Sequence, residues 1–365
     1  MELNTSDSSG AMEVKQLLQA PGENNQNLKN SIPNYASEKL SIDISKTITS
    51  TLYLPLMQKP ASPPRPLGVT QLITGPVSCN NEQCYQIKVT CPNISQSIGA
   101  TLMVGDPFIS LQGTILFFTG WTGTYYWGSE DENEEIIEHL RQAGYRTVEI
   151  KWSTNWFEAE LGVPEGMGKL ACRPATVVRW VYDNLHNQNQ TVPYCATGHS
   201  NGASQLGYAI TQYDLADIFT AVVFESGPNW SRIDYECLHN DPAYQSLYGN
   251  QGQRNTIDWG FGFNSNGTGP CATMDTSFQQ NFQESSLAVN NWSFKFPNLK
   301  IAFIFGGDDT TSTAAQGKYF HDLLINNGNS NVSMTVVPGA PHFTTETPEG
   351  FQNMQDTLLD ECKLP

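Results

Sequence analysis

The segment YCATGHSNGASQLGYAI, residues 194–210, sets Ser200 between two glycines in the order Gly198, His199, Ser200, Asn201, Gly202. A serine hydroxyl attacks a carbonyl only when a base takes its proton, an acid orients that base and fixed donors meet the charge that develops on the carbonyl oxygen. The Gly-x-Ser-x-Gly spacing is a weak signal by itself in a chain with 30 glycines. It gains meaning from its surroundings. A nucleophile held on a sharp turn needs a buried strand before it and a helix after it. PYCATG has the composition of the first and ASQLGYAITQY that of the second.

With that context GHSNG resembles the nucleophile elbow of the α/β-hydrolase family, and the resemblance covers roughly residues 67–362. It implies a chain order of serine, acid and histidine, each after a strand. Three histidines follow Ser200: His239 in a loop-like region, His321 in a helical pattern and His342 in VVPGAPHF, directly after a strand-like run. His342 is therefore the candidate base, since a neutral imidazole can accept a hydroxyl proton near neutral pH. The acid is expected at the end of IAFIFGGDDTT, where Asp309 stands three places after Gly306, the spacing common in the family. Asp308 beside it is the alternate acid or a helix cap, and Glu225, ending TAVVFESG, is a third option.

The resemblance also implies two oxyanion donors, the backbone N–H groups of Asn201 and of Trp121 in TGWTG. The second is similar to the Gly-Tyr-Thr loop of cutinase-like esterases and polyester hydrolases, and a glycine-rich lipase-type loop is absent. Aromatic residues crowd the segments after the strand-like runs: Trp121, Tyr125, Tyr126 and Trp127; Trp152, Trp156 and Phe157; Trp230, Tyr235, Trp259, Phe261 and Phe263. Aromatics often only fill a core, but positions in connecting loops favour contact with a substrate. Tyr125, Trp152 and His199 are the expected substrate contacts. An apolar or aromatic acyl or alcohol group, lipid-like or polyester-like, is the expected substrate class.

The elements that must position these residues follow a simple order. Residues 1–60, rich in Ser, Asn and Gln and running into QKPASPPRPLG, read as a tail and linker. Residues 61–365 read as the catalytic domain. Its first runs, LGVTQLITGPV, YQIKVTCPN and GATLMVGDP, alternate like antiparallel strands, with Cys79 and Cys84 placed to staple the first turn. From residue 113 onward, short apolar runs alternate with helical patterns. The expected fold class is α/β, a mostly parallel sheet with helices on both faces. Residues 227–296 read as an irregular insertion before the acid-bearing strand.

Composition narrows the function classes. Lys and Arg total 19 against 36 Asp and Glu, a net charge of −17 that repels phosphate backbones and anionic lipid surfaces, so nucleic acid is not an expected partner. Eight cysteines allow up to four disulfides, no Cys-x-x-Cys pair suggests a zinc site, and charged residues are only 15% of the chain. The even cysteine count and low charge favour a secreted or extracytoplasmic protein, while the seven Asn-x-Ser/Thr sequons, Asn93 and Asn291 among them, add little because an asparagine-rich chain makes several by accident. The segment MELNTSDSSGAMEV shows no signal peptide, and no run of about 18 apolar residues marks a membrane span. The expected activity is cleavage of small-molecule or polymeric carboxylic esters through Ser200, His342 and Asp309, with no cofactor or metal. Amide or peptide hydrolysis by the same residues is the alternative enzyme, and a non-catalytic binding protein with the same fold is the alternative class. Disulfide pairing and oligomeric state are not legible at this level.

Overall fold

The computed structural model describes residues 62–80, 82–129, 131–289 and 292–364. The chain divides into a unit Met1–Met57, which lies outside the described residues, and a unit Gln58–Pro365, to which all that follows refers. The tail and linker expected over 1–60 and the sequon at Asn291 therefore fall outside the described residues.

Alternating and continuous apolar runs become nine strands: β1 (Val69–Cys79), β2 (Glu82–Thr90), β3 (Ile98–Gly105), β4 (Gly113–Phe118), β5 (Tyr145–Trp152), β6 (Tyr194–His199), β7 (Ala221–Glu225), β8 (Lys300–Gly306) and β9 (Val332–Val337). They form one sheet in the order β1-β2-β3-β5-β4-β6-β7-β8-β9. The first three strands pair antiparallel, β3 pairs antiparallel with β5, and every pairing from β5 to β9 is parallel. The expected fold class is thus found, antiparallel start included.

The helices are α1 (Asp131–Gln142), α2 (Met167–Leu170), α3 (Cys172–Asn184), α4 (Asn201–Gln212), α5 (Ile233–Leu238), α6 (Gln251–Gly260), α7 (Gln279–Ser285), α8 (Ser312–Asn326) and α9 (Pro348–Glu361). Strands β4, β6 and β7 are buried along their whole length because helices cover both faces of the sheet. On one face Ile115, Phe117, Val223 and Ile304 pack with Leu140 of α1 and Met354 and Leu358 of α9. On the other Leu116, Phe118, Val222 and Phe303 pack with Val178 of α3, Leu206 of α4 and Phe320 of α8. Such cover makes the sheet rigid, and its strand ends become fixed positions for side chains.

Four disulfides account for all eight cysteines: Cys79–Cys84 in the first hairpin, Cys91–Cys172, Cys195–Cys362 and Cys237–Cys271. Cys195–Cys362 ties the elbow strand β6 to the end of α9 across 167 residues of sequence. In the chain-entropy account a loop of that length contributes about 5 kcal/mol against unfolding. Among the described residues no helix is long and apolar enough to cross a membrane.

Two expectations need correction. Residues 227–296, expected to be irregular, carry three short helices, α5, α6 and α7, and α6 opens on a capping box between Asn250 and Gln253. These helices span only 6, 10 and 7 residues, so their periodicity is too brief to read. The second correction concerns the loop aromatics. Trp127, Trp152, Trp156, Phe157, Trp230 and Phe261 are all buried. Trp156, Phe157 and Trp230 pack on one another edge to face or tilted, with ring centroids 4.9–5.7 Å apart, and so the connections after the strands extend the core on one face of the sheet.

Candidate active site

Strand β6 delivers the chain to Ser200, and α4 carries it away. Between them Ser200 takes φ 53° and ψ −116°, a left-handed conformation that a side chain enters only under strain of about 1–3 kcal/mol. Packing enforces it. A Cβ on Gly202 would meet the Phe118 carbonyl oxygen at 2.1 Å, and one on Gly198 would meet the Gly202 backbone at 2.4 Å. The Ser200 N–H donates to the Glu225 carbonyl at 2.8 Å, fixing the turn from the neighbouring strand. Ser200 stands at the helix N-cap, yet its hydroxyl makes no capping bond. A serine there ordinarily accepts from a backbone N–H of the first turn, so this hydroxyl is left for other work.

Two strands farther along the sheet, Asp309 and His342 meet. Asp309 Oδ2 accepts from His342 Nδ1 at 2.6 Å, while Oδ1 accepts from Thr311 N at 3.0 Å and Thr311 Oγ1 at 2.7 Å. A carboxylate only accepts, so Nδ1 carries the imidazole proton and Nε2 is left as an acceptor. Burial pushes the Asp309 carboxyl up, but its bonds to His342 and Thr311 outweigh this and hold it below the usual carboxylate range. The close approach depends on Gly306, where a Cβ would meet the Pro341 carbonyl oxygen at 2.0 Å. That contact is the physical reason for a glycine three places before the acid.

The other two carboxylates lie elsewhere. Asp308 is exposed, and its N–H bonds to the Ala340 carbonyl at 3.0 Å. The cap of α8 that it was expected to supply comes from Thr311. Glu225 is buried under the histidine loop, its Oε1 accepting from Thr344 N at 3.1 Å and Thr344 Oγ1 at 2.6 Å. Burial raises its carboxyl above the ordinary value.

His199, expected to contact substrate, is instead buried beneath the site. Its ring stacks on Phe343 at 4.0 Å, meets the His342 ring edge to face at 4.9 Å, and its Nε2 lies 3.3 Å from the His342 carbonyl oxygen. Burial and the neighbouring His342 keep its pKa well below the ordinary imidazole value, so it is neutral there. Trp152, likewise expected at the substrate, is 1% exposed and donates from Nε1 to Gln205 Oε1 at 2.9 Å. Strand β5 turns that residue into the sheet face, which leaves no ring surface for a ligand. Tyr125 is half-buried in the loop after β4, where its carbonyl accepts from Thr119 Oγ1 at 3.1 Å.

Trp121 differs from the other loop aromatics: it is 57% exposed, with φ 48°, directly after β4. Its carbonyl accepts from Asn201 Nδ2 at 3.0 Å, which ties the loop after β4 to the first residue of α4. The N–H groups of a helix's first turn have no acceptor inside the helix, so the start of α4 presents donors at the elbow.

One residue of the site has no signature in the sequence. Asn229, after β7, donates from Nδ2 to Ser200 Oγ at 3.2 Å and to Asn201 Oδ1, and its own N–H donates to Ser204 Oγ at 2.8 Å. No hydrogen bond joins Ser200 Oγ to His342 Nε2 among the described residues. The sheet therefore brings the serine strand, the acid strand and the histidine loop to one edge. In this conformation the hydroxyl's partner is Asn229. Among the described residues no cluster of His, Cys, Asp or Glu is arranged to hold a metal ion.

No protein-family model matches the chain, and no curated protein matches its sequence. Solved structures do. A thermostable carboxyl esterase from Bacillus coagulans, 14% identical, superposes with a TM-score of 0.51 over 76% of this chain and 97% of its own. An acylaminoacyl peptidase from Pyrococcus horikoshii, 15% identical, gives a TM-score of 0.50 over 77% of this chain and 42% of its own. With the strand order above, these likenesses establish the α/β-hydrolase fold.

Proposed function

We propose that this α/β-hydrolase-fold protein hydrolyses carboxylic esters with Ser200 as nucleophile, His342 as base and Asp309 as the group that orients it. Ser200 Oγ attacks the ester carbonyl as its proton passes to His342 Nε2, and the imidazole then protonates the leaving alcohol. Water, deprotonated by the same imidazole, attacks the acyl-serine, and the acid leaves as Oγ regains a proton. The backbone N–H groups of Trp121 and Asn201 receive the carbonyl oxygen as it gains charge.

The observation that carries this reading is the strained Ser200, packed onto the end of β6 with its hydroxyl excluded from helix capping, on the same sheet edge as a bonded Asp309–His342 couple. Strain at a serine and a carboxylate bonded to an imidazole at the same edge are what a nucleophile and its base require. A serine bonded to another partner at rest is compatible with this, because catalytic hydrogen bonds often close only around the substrate. Exposed Trp121 beside the oxyanion donors is the apolar surface for an acyl or alcohol group. Four disulfides suit a protein that works in an oxidising compartment.

A fluorophosphonate probe tests the reading. It should label the wild type and leave Ser200→Ala unlabelled, while His342→Ala labels slowly, and p-nitrophenyl ester hydrolysis should follow the same order. Ester and aminoacyl amide substrates run side by side separate esterase from amidase. A folded wild type that takes no label and turns over neither class would sink the proposal.

A further inference from the structure

We propose that Asn229 is a further catalytic residue, a donor to the Ser200 oxygen with its amide oriented by Asn201. The inference rests on the ester-hydrolase reading above. It begins with the orientation of two amides. The Trp121 carbonyl only accepts, so the Asn201 atom 3.0 Å from it is Nδ2. Asn201 Oδ1 then faces Asn229, and the atom it meets there must be the Asn229 nitrogen. The second hydrogen of that same NH2 group points at Ser200 Oγ, 3.2 Å away. Flipping either amide would set two oxygens against each other.

The Asn229 backbone is held independently by Ser204 Oγ at 2.8 Å, from inside α4. Three segments thus meet at one carboxamide: the loop after β4 through Trp121, the elbow through Ser200 and Asn201, and the chain after β7. Since Ser200 Oγ accepts from Asn229, its own hydrogen is turned elsewhere and is free for the imidazole. The side chain also acts in the chemistry. A hydroxyl or departing alkoxide oxygen is a good acceptor, whereas the bridging oxygen of the acyl-serine is a poor one. The Asn229 bond weakens as the acyl-enzyme forms and strengthens again as the C–Oγ bond breaks and His342 returns a proton to Oγ. Its contribution falls on the release of Ser200.

The test is pre-steady-state hydrolysis of a p-nitrophenyl ester by the wild type, Asn229→Ala and Asn229→Asp. Asn229→Ala should lower kcat about 100-fold, the scale of losing one donor at the reacting atoms. The ratio kcat/KM should fall less, and about one equivalent of p-nitrophenolate should appear per enzyme before the slow steady state, marking accumulated acyl-enzyme. Asn229→Asp keeps the shape, offers no donor, and should lose at least as much; it carries the test if the alanine variant does not fold. Both variants within threefold of the wild type, or equal falls in kcat and kcat/KM with no burst, would overturn the inference while leaving the ester-hydrolase reading intact. A wild type without turnover or probe labelling would overturn both.

Discussion

Strands β7 and β8 lie side by side, and each leads to a buried carboxyl group, Glu225 as the last residue of β7 and Asp309 three residues past β8. Burial acts on both in the same direction, favouring the neutral form. Their partners differ. Asp309 gives one oxygen to an imidazole able to carry charge and the other to Thr311, and its carboxyl is held below the usual range. Glu225 receives two neutral donors from Thr344 on a single oxygen, and its carboxyl is pushed above that range. Depth therefore does not separate an orienting acid from a structural one. In the proposed reaction what separates them is whether the facing group gains a proton.

The largest effect expected from this contrast is on turnover. Asp309→Asn leaves His342 Nδ1 facing either an amide hydrogen or a weaker acceptor, and kcat for ester hydrolysis should fall roughly 1,000- to 10,000-fold. Asp308→Asn, one residue away and exposed, should stay within about twofold of the wild type, since its side chain touches neither His342 nor Thr311. Steady-state assays on the two variants decide which of the adjacent acids orients the base. Equal losses would erase the distinction drawn here between the two strand ends.

A smaller loss is expected from the β7 end. Glu225→Ala leaves the Thr344 N–H and hydroxyl buried without an acceptor, at about 1–3 kcal/mol each, two residues from His342. The histidine loop should loosen, lowering kcat about tenfold and the melting temperature by several degrees. Thr344→Val removes only the hydroxyl bond and should cost about half as much stability. In a double-mutant cycle the pair should couple by about 1 kcal/mol or more. Independent effects would mean that Glu225 does not hold the loop.

The contrast also marks what was legible in the sequence. Strand and helix periods and the elbow glycines are local patterns with local causes, and the sheet follows from them, whereas the order Ser200, Asp309, His342 comes from the family resemblance. The choice between Glu225 and Asp309 depends on which strand end the histidine loop reaches, a contact between residues 33 positions apart, beyond any local window. Asn229 was invisible for another reason: nothing in its local pattern points to this site, and its role arises only where three segments meet. Trp152 and His199 are expected at the substrate, but they are the last residues of β5 and β6, and the strand faces turn them inward. Trp121, just after β4 with a positive φ, is the most exposed of the loop aromatics.

The finest test is the sign of the pH dependence of stability. Glu225 binds its proton more tightly in the folded protein than in the unfolded chain, whose carboxyl titrates near 4.5. Between that value and the folded one the native state holds more protons, so stability from this group is fully present at low pH and lost as pH rises. Asp309 behaves oppositely: its folded carboxyl lies below the ordinary 3.8, so its contribution is present above that value and lost as pH falls through the folded one. Melting curves from pH 3 to 8 should therefore show Glu225→Gln gaining on the wild type as pH rises above about 4.5, because the glutamine keeps an acceptor for Thr344 and never ionises. Asp309→Asn should lose ground as pH rises through the region below about 4 and then run parallel to the wild type. Slopes of the same sign for both variants would show that burial alone governs the two carboxyls, and the assignment of different roles to the two strand ends would fail with it.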